Sequence, residues 1–198
     1  PHADLLLIAG DMTMRGTKNE MQWFADWLVR QPQKHKVWIA GNHELGIERD
    51  PQIAADIAEA NGSIYLNDSG VDLDGIKIWG SPVTPWFHDW AFNRSRGEEI
   101  AEHWRKIPEG LDILLTHGPP YGILDLTMRD GNVGCEALLE TVSQRLENPP
   151  RYHIFGHIHF AYGKQQLLRA DGKTISMLNA SICDELYREH NPPHLFEL

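Results

Sequence analysis

Cysteine is scarce in this chain. The two that occur, Cys135 and Cys183, stand far apart without metal-type spacing, which excludes a disulfide framework and a thiolate cluster and fits a reduced, cytoplasmic compartment. Long apolar runs are lacking too. The longest, Leu5 to Ala9, is only strand-sized, so no membrane association is expected. Positive charge is also in short supply: 18 Lys and Arg against 28 Asp and Glu leave a net charge of −10. Such a field repels polyanions, and nucleic acid is not an expected partner. Signal and transit peptides, internal repeats, low-complexity tracts and linkers are not visible in the sequence.

What is present reads as an ordinary globular chain. Its 198 residues, 41% hydrophobic and 23% charged, suit one domain over residues 1–198 with a substantial core. Short apolar runs end in Gly, Asn, His or Pro over Asp4–Asp11, Lys36–His43, Gly75–Pro82, Leu111–Pro120, Arg151–His159 and Thr174–Ser181. These predict buried strands running into loops. Helical spacing predicts a helix over Lys18–Arg30, where Met21, Phe24, Ala25 and Leu28 recur, and further helices over Pro51–Ala60, Ser95–Lys106 and Cys135–Leu146. The alternation implies a mixed α/β architecture of stacked sheets.

Polar chemistry gathers directly behind four of these runs. Gly10-Asp11, Gly41-Asn42-His43-Glu44, Thr116-His117-Gly118-Pro119-Pro120 and Gly156-His157-Ile158-His159 each follow an apolar strand. Ligands of open α/β sheets bind outside the carboxyl ends of the strands, so these residues can converge although far apart in sequence. Their types agree, since imidazole, carboxylate and amide oxygen together form a mixed N/O set for divalent metals. Two such ions clamp a phosphoryl group and lower the pKa of a bound water, which points to phosphate ester hydrolysis. Each motif also has a plain reading: a turn at Asp11, a cap at Asn42-His43, a strand end at His117, a hydrogen-bonded pair at His157 and His159. Together, in this order, they point to one site.

At these residues the chain resembles the calcineurin-like metallophosphoesterase superfamily, whose ordered blocks are Asp-x-His, Gly-Asp, Gly-Asn-His-Asp/Glu, a His after a strand, and Gly-His-x-His. Four of the five are present. The likeness extends to the metallophosphoesterase-domain-containing proteins through Gly80-Ser81-Pro82, Thr84-Pro85-Trp86-Phe87, Trp90-Ala91-Phe92-Asn93, His117-Gly118-Pro119-Pro120, Gly134-Cys135 and the segment from Pro150 to His157. The resemblance implies a four-layer αββα sandwich of two mixed β-sheets flanked by helices, with a dinuclear centre at one end. It implies that Asp11 bridges two divalent ions, that Asn42, His117 and His157 complete one, and that His159 belongs to the other. Manganese is the ion it favours, with iron, zinc and nickel as alternatives. His43 becomes the catalytic residue, contacting phosphate together with Asn42 and protonating the leaving oxygen.

The departure is the Asp-x-His block. No Asp in the chain has His two positions later, and in the family this block ends a strand upstream of Gly-Asp. A first strand truncated before Pro1 is the expectation, leaving the second ion with Asp11 and His159 and therefore weak or absent in this chain. The activity implied is phosphodiester hydrolysis, cyclic nucleotides included, on a small-molecule phosphate ester or nucleotide. The alternatives are a phosphomonoesterase, or a non-catalytic scaffold with an incomplete metal site. Oligomeric state is not legible. Trp86, Phe87 and Trp90 are expected chiefly in the core, with a place in a substrate pocket as the other reading. His153 is expected to be structural; His88, His103, His190 and His194 are expected at the surface.

Overall fold

In the computed structural model, residues 3–198 are described. Strands β1 (Leu5–Ile8), β2 (His35–Trp38) and β3 (Ile64–Tyr65) form a parallel sheet in that order. The larger sheet holds β4 (Ser69–Leu73), β5 (Ile76–Ser81), β6 (Ile113–Thr116), β7 (Tyr152–Phe155), β8 (Gly163–Leu168) and β9 (Thr174–Asn179), in the order β8-β9-β7-β6-β5-β4. Its centre, β9-β7-β6-β5, is parallel and both outer pairs are antiparallel. Two short ladders, Thr84–Pro85 with Asn93–Arg94 and Leu126–Thr127 with Gly131–Asn132, lie outside both sheets.

The helices are α1 (Lys18–Val29), α2 (Leu45–Arg49), α3 (Gln52–Asn61), α4 (Glu98–Trp104) and α5 (Glu136–Glu140), the last continued by a π-turn over Thr141–Arg145. Helix α1 starts where its sequence dictates. Thr17 and Glu20 form a reciprocal capping box, which satisfies two backbone N–H groups that no helical carbonyl can reach. Within the π-turn Thr141 and Ser143 return their hydroxyls to the carbonyls of Ala137 and Leu139, the local competition that distorts helices.

Alternation along the strands explains the layering, because successive side chains point to opposite faces. Leu5, Leu7, Val37 and Ile39 from the first sheet meet Ile78, Ile113, Leu115, Ile154 and Leu178 from the second in one apolar layer. The intervening residues face outward: Ile8 and Trp38 pack on Met21, Phe24, Leu28, Ala54 and Ile57 of α1 and α3. Trp79, Leu114, Phe155 and Met177 pack on Ile100, Trp104, Leu138 and Val142 of α4, α5 and the π-turn. Helix, sheet, sheet and helix therefore stack with three apolar cores between them. Trp38, Trp104, Phe24 and Phe155 are among the largest fully buried side chains, and burial of a side chain of this size stabilises by about 1.5–3 kcal/mol relative to exposure.

All six expected strands and four expected helices are present. His103, expected at the surface, is instead a half-buried residue of α4, donating from Nδ1 to Asp68 at 2.6 Å and accepting from Arg94 Nε at 3.2 Å. His194 likewise is partly buried, stacked on Tyr162 and bonded to the Asn179 carbonyl.

Candidate metal centre

Parallel strands put their carboxyl ends on one side, and four of those ends supply the polar loops. β1 leads to Asp11, β2 to Asn42 and His43, β6 to His117, and β7 to His157. Two loops come from each sheet. One ligand atom from each of Asp11, His117 and His157 lies within 4.8 Å of the others, a spacing a metal ion can span. Asn42 joins them through Oδ1, 2.9 Å from His117 Nε2. His159 stands beside this group, lining the same cleft with Asp11 and His43.

The local backbone is forced. Asp11 (φ 57°) and His157 (φ 68°) both occupy the left-handed region, which costs a residue other than glycine about 1–3 kcal/mol and persists where the surroundings over-determine it. Gly41 allows the loops to close. A Cβ there would sit 2.3 Å from Asp11 Oδ1 and 2.5 Å from His117 Cε1.

The arrangement attracts positive charge. His117 Nδ1 donates to the Ala9 carbonyl at 2.7 Å, which turns Nε2 toward Asn42 Oδ1 at 2.9 Å and Asp11 Oδ2 at 3.2 Å. In a neutral ring Nε2 is an acceptor, so three acceptors point at one another unless a cation joins them. The electrostatics agree. Burial would lower the His117 pKa, but the Asp11 charge and hydrogen bond outweigh it and raise it. For Asp11, burial alone would favour the protonated form, yet His117, then His157 and His43, hold its carboxyl far below the usual carboxylate range. His157 is pushed down to about 3, first by burial and then by His117, and so is the neutral imidazole a metal requires. The donor set fits a divalent ion.

Two supports were not foreseen from the sequence. Glu44, fully buried, accepts from Asp11 N at 2.9 Å and Gly41 N at 2.7 Å on Oε2, and from Thr13 N at 3.0 Å and Thr13 Oγ1 at 2.9 Å on Oε1. It thereby ties the Asp11 loop to the Asn42 loop. Burial, then the Asp11 charge, push its carboxyl up to about 7. Both oxygens are already saturated by donors, so an added proton has no acceptor to meet. On the far side, a turn at Asp184–Arg188 reaches the site from the C-terminal segment. Its Asp184 carbonyl accepts from His159 Nδ1 at 3.0 Å, fixing the ring so that Nε2 remains for a ligand. Tyr187, on the same turn, packs its ring at 5.3 Å from His159 and 6.2 Å from His43. The Asn42-His43-Glu44 block gives a signal for Glu44, whereas no periodicity marks Tyr187.

His43 is buried and separate from the three-ligand group. Its backbone N–H donates to Asp11 Oδ1 at 3.0 Å, and Nδ1 donates to the Met14 carbonyl at 2.9 Å, leaving Nε2 as the working nitrogen. Trp90 packs against the ring at 4.5 Å. Trp86 and Phe87, expected chiefly in the core, are 59% and 50% exposed at the mouth of the cleft; the short Thr84–Pro85 and Asn93–Arg94 ladder projects their loop outward. His153 is fully buried, as expected, with Nε2 2.8 Å from Thr116 Oγ1.

Two facing sheets between helix layers, with His, Asp and Asn converging at the strand ends, define a metallophosphoesterase architecture. The chain belongs to the calcineurin-like phosphoesterase family, whose sequence profile matches residues 1–161. Among curated proteins it is 41% identical over 222 aligned positions to metallophosphoesterase domain-containing protein 1 of Homo sapiens, and equally to that of Mus musculus. The match takes in 100% of this chain, and the chain spans 65% of the length of these relatives. A solved structure, TT1561 of Thermus thermophilus, superposes with a TM-score of 0.61 at 12% identity, covering 90% of this chain and 77% of that one. That likeness shows the fold. Among the described residues no helix is long and apolar enough to cross a membrane.

Proposed function

We propose that the chain is a metal-dependent phosphodiesterase acting on a small phosphate ester, cyclic nucleotides included, at a centre designed for two divalent ions, manganese first among them. The observation that carries this reading is the convergence of Asp11, Asn42, His117 and His157. These four would hold one ion; Asp11 and His159 are this chain's contribution to the other. Such ions polarise phosphoryl oxygens and acidify a coordinated water. The chain's own residues do the rest. Asp11, kept ionised, and His157, kept neutral, present lone pairs at the pH of the cell. His117 is oriented by the Ala9 carbonyl and His159 by that of Asp184. His43 lines the cleft, and with Nδ1 committed to Met14 it offers Nε2 to the phosphate and, when protonated, a proton to the departing oxygen.

The test pairs metal content with hydrolysis of bis(4-nitrophenyl) phosphate in added manganese. His43→Ala is expected to lower turnover 100-fold or more, on the order typical of general acid–base catalysis, with metal content retained. Asp11→Ala is expected to lose both. Loss of metal in the His43 variant would sink the division of roles. With two ligands at the second position, the 198-residue chain is expected to hold fewer than two ions and to turn over slowly; full occupancy with rapid turnover would refute that.

A further inference from the structure

We infer that His153 and Thr116 are positioning residues of the metal centre: a hydrogen-bond relay from His153 Nε2 through Thr116 Oγ1 to the Gly118 carbonyl fixes the loop that presents His117 beside His157. The inference rests on the phosphoesterase reading above and adds two residues to the apparatus of that same site. Strand β6 carries Thr116 and leads to His117, while β7 carries His153 and leads to His157. The two strands pair in parallel with His153 opposite Leu114, so Thr116 lies one diagonal step further along the same face. Thr116 Oγ1 donates to the Gly118 carbonyl at 2.8 Å, and His153 Nε2 stands 2.8 Å from that hydroxyl oxygen. A hydroxyl has one proton and a carbonyl can only accept, so the Oγ1 proton is committed to Gly118 and His153 Nε2–H donates to Oγ1. Burial pushes His153 down to about 3, which keeps the ring neutral with a single N–H.

An imidazole is a poor choice for filling this space. His153 is fully buried, with the Phe155 ring at 5.1 Å and Leu114 and Met177 opposite it on the flanking strands. Its Nδ1 has no hydrogen-bond partner among the described residues. A stranded buried acceptor is destabilising, and a leucine of similar volume would fill the site without that penalty. What the imidazole adds is the one hydrogen bond that leucine lacks, and that bond ends on the loop of a metal ligand. His117 itself is held in line with the strands, its N–H on the Ser81 carbonyl at 3.1 Å and its carbonyl on Gly156 N at 2.9 Å. The chain then leaves through Gly118, where the backbone is least restrained. The relay closes this exit against the end of β6. Hydrogen bonds in series polarise one another, so the hydroxyl gripped by His153 is the stronger donor to Gly118. The His117 and His157 rings lie 4.9 Å apart, and groups behind metal ligands that fix such an arrangement tune metal affinity.

Two measurements on the full chain separate the relay from the metal. In metal-free protein, amide hydrogen exchange followed by NMR should show His117 and Gly156 exchanging about fivefold faster in Thr116→Val and in His153→Leu, the equivalent of one hydrogen bond. Leu115 and Ile154, further back in the strands, should be unchanged. Manganese affinity by equilibrium dialysis should fall about fivefold in each variant, and the double variant should lose no more than either single, because both cut one relay. Thr116→Ser, which keeps the hydroxyl, should match wild type in both measurements. His153→Leu should unfold at the wild-type urea concentration or above it at pH 8. Wild-type exchange at His117 and Gly156 in both Thr116→Val and His153→Leu overturns the relay, as does a loss in Thr116→Ser equal to that in Thr116→Val. Instability of His153→Leu without faster exchange marks packing alone and overturns it too. Faster exchange with unchanged manganese affinity overturns the positioning role. Failure of wild type to bind manganese overturns the phosphoesterase reading, and the exchange rates then decide the relay separately.

Discussion

Replacing Glu44 by Gln tests whether this buried carboxylate is the joint between the two ligand loops. The change preserves shape and removes one acceptor oxygen. In the wild type, four hydrogen bonds converge on Glu44: three from the backbone N–H groups of Asp11, Thr13 and Gly41, and one from the Thr13 hydroxyl. A Gln amide must turn its NH2 toward one of the two donor pairs. Facing Thr13 is the milder choice, because that hydroxyl can rotate to accept, but Thr13 N–H is then stranded. One buried unsatisfied donor costs about 1–3 kcal/mol, and the remaining bonds fall from charged to neutral strength. Together these amount to a loss of about 3 kcal/mol, or ~6–12 °C in Tm for a chain of this size. Urea unfolding followed by circular dichroism at pH 8, with and without manganese, measures it. Metal affinity should fall as well, because the loops bearing Asp11 and Asn42 lose their common tether. A Glu44→Gln protein that unfolds within ~1 kcal/mol of wild type and binds manganese equally would refute the assignment.

Gly41→Ala should abolish metal binding, since its methyl would meet Asp11 Oδ1 at 2.3 Å and backbone on the same side; equilibrium dialysis checks this, and retained binding would show that the loops can part. His153, pushed down to about 3 by burial, stays neutral in the folded chain, while the unfolded chain takes up this proton near pH 6.5. Stability is therefore full above about 6.5 and falls with pH, by ~2.7 kcal/mol from this group at pH 4.5; unfolding of His153→Asn should show a pH slope shallower by one proton. Manganese at 100 times its Kd should stabilise wild type by about 2.7 kcal/mol and leave Asp11→Ala unmoved in thermal melts.

Much of the fold was legible because periodicity reports burial. The runs that became β1, β2, β5, β6, β7 and β9 are apolar on both faces, as strands between two cores must be. β8 escaped notice because Gly163–Leu168 reads Gly-Lys-Gln-Gln-Leu-Leu, an edge strand with mostly exposed side chains. α2, at five residues, is too short to show a period. Of the site, the strand-end blocks announced Asp11, Asn42, His117, His157 and His159 through Gly and His in a fixed order. Glu44 and Tyr187 act through contacts with residues 33 and 28 positions away in the chain; the Asn42-His43-Glu44 block marks the first, and no local pattern records the second. Trp86 and Phe87 misled for the opposite reason: large aromatics usually mark a core, and hydrophobicity alone does not tell a wall from an interior.

The candidate ligands of the first ion come in equal number from two sheets that share no hydrogen-bonded strand, Asp11 and Asn42 from one and His117 and His157 from the other. An ion held between them is thus gripped by the jaws of a calliper, and the apolar layer behind sets the gap. A close approach in that layer is at Gly80, where a Cβ would stand 2.7 Å from Leu66 Cβ and 2.8 Å from Ile39 Cγ2. Chemistry at the tip of the molecule is in this sense gauged by hydrocarbon in its middle: a single methyl wedged at residue 80 would be felt as a looser grip on the ion by ligands it never touches.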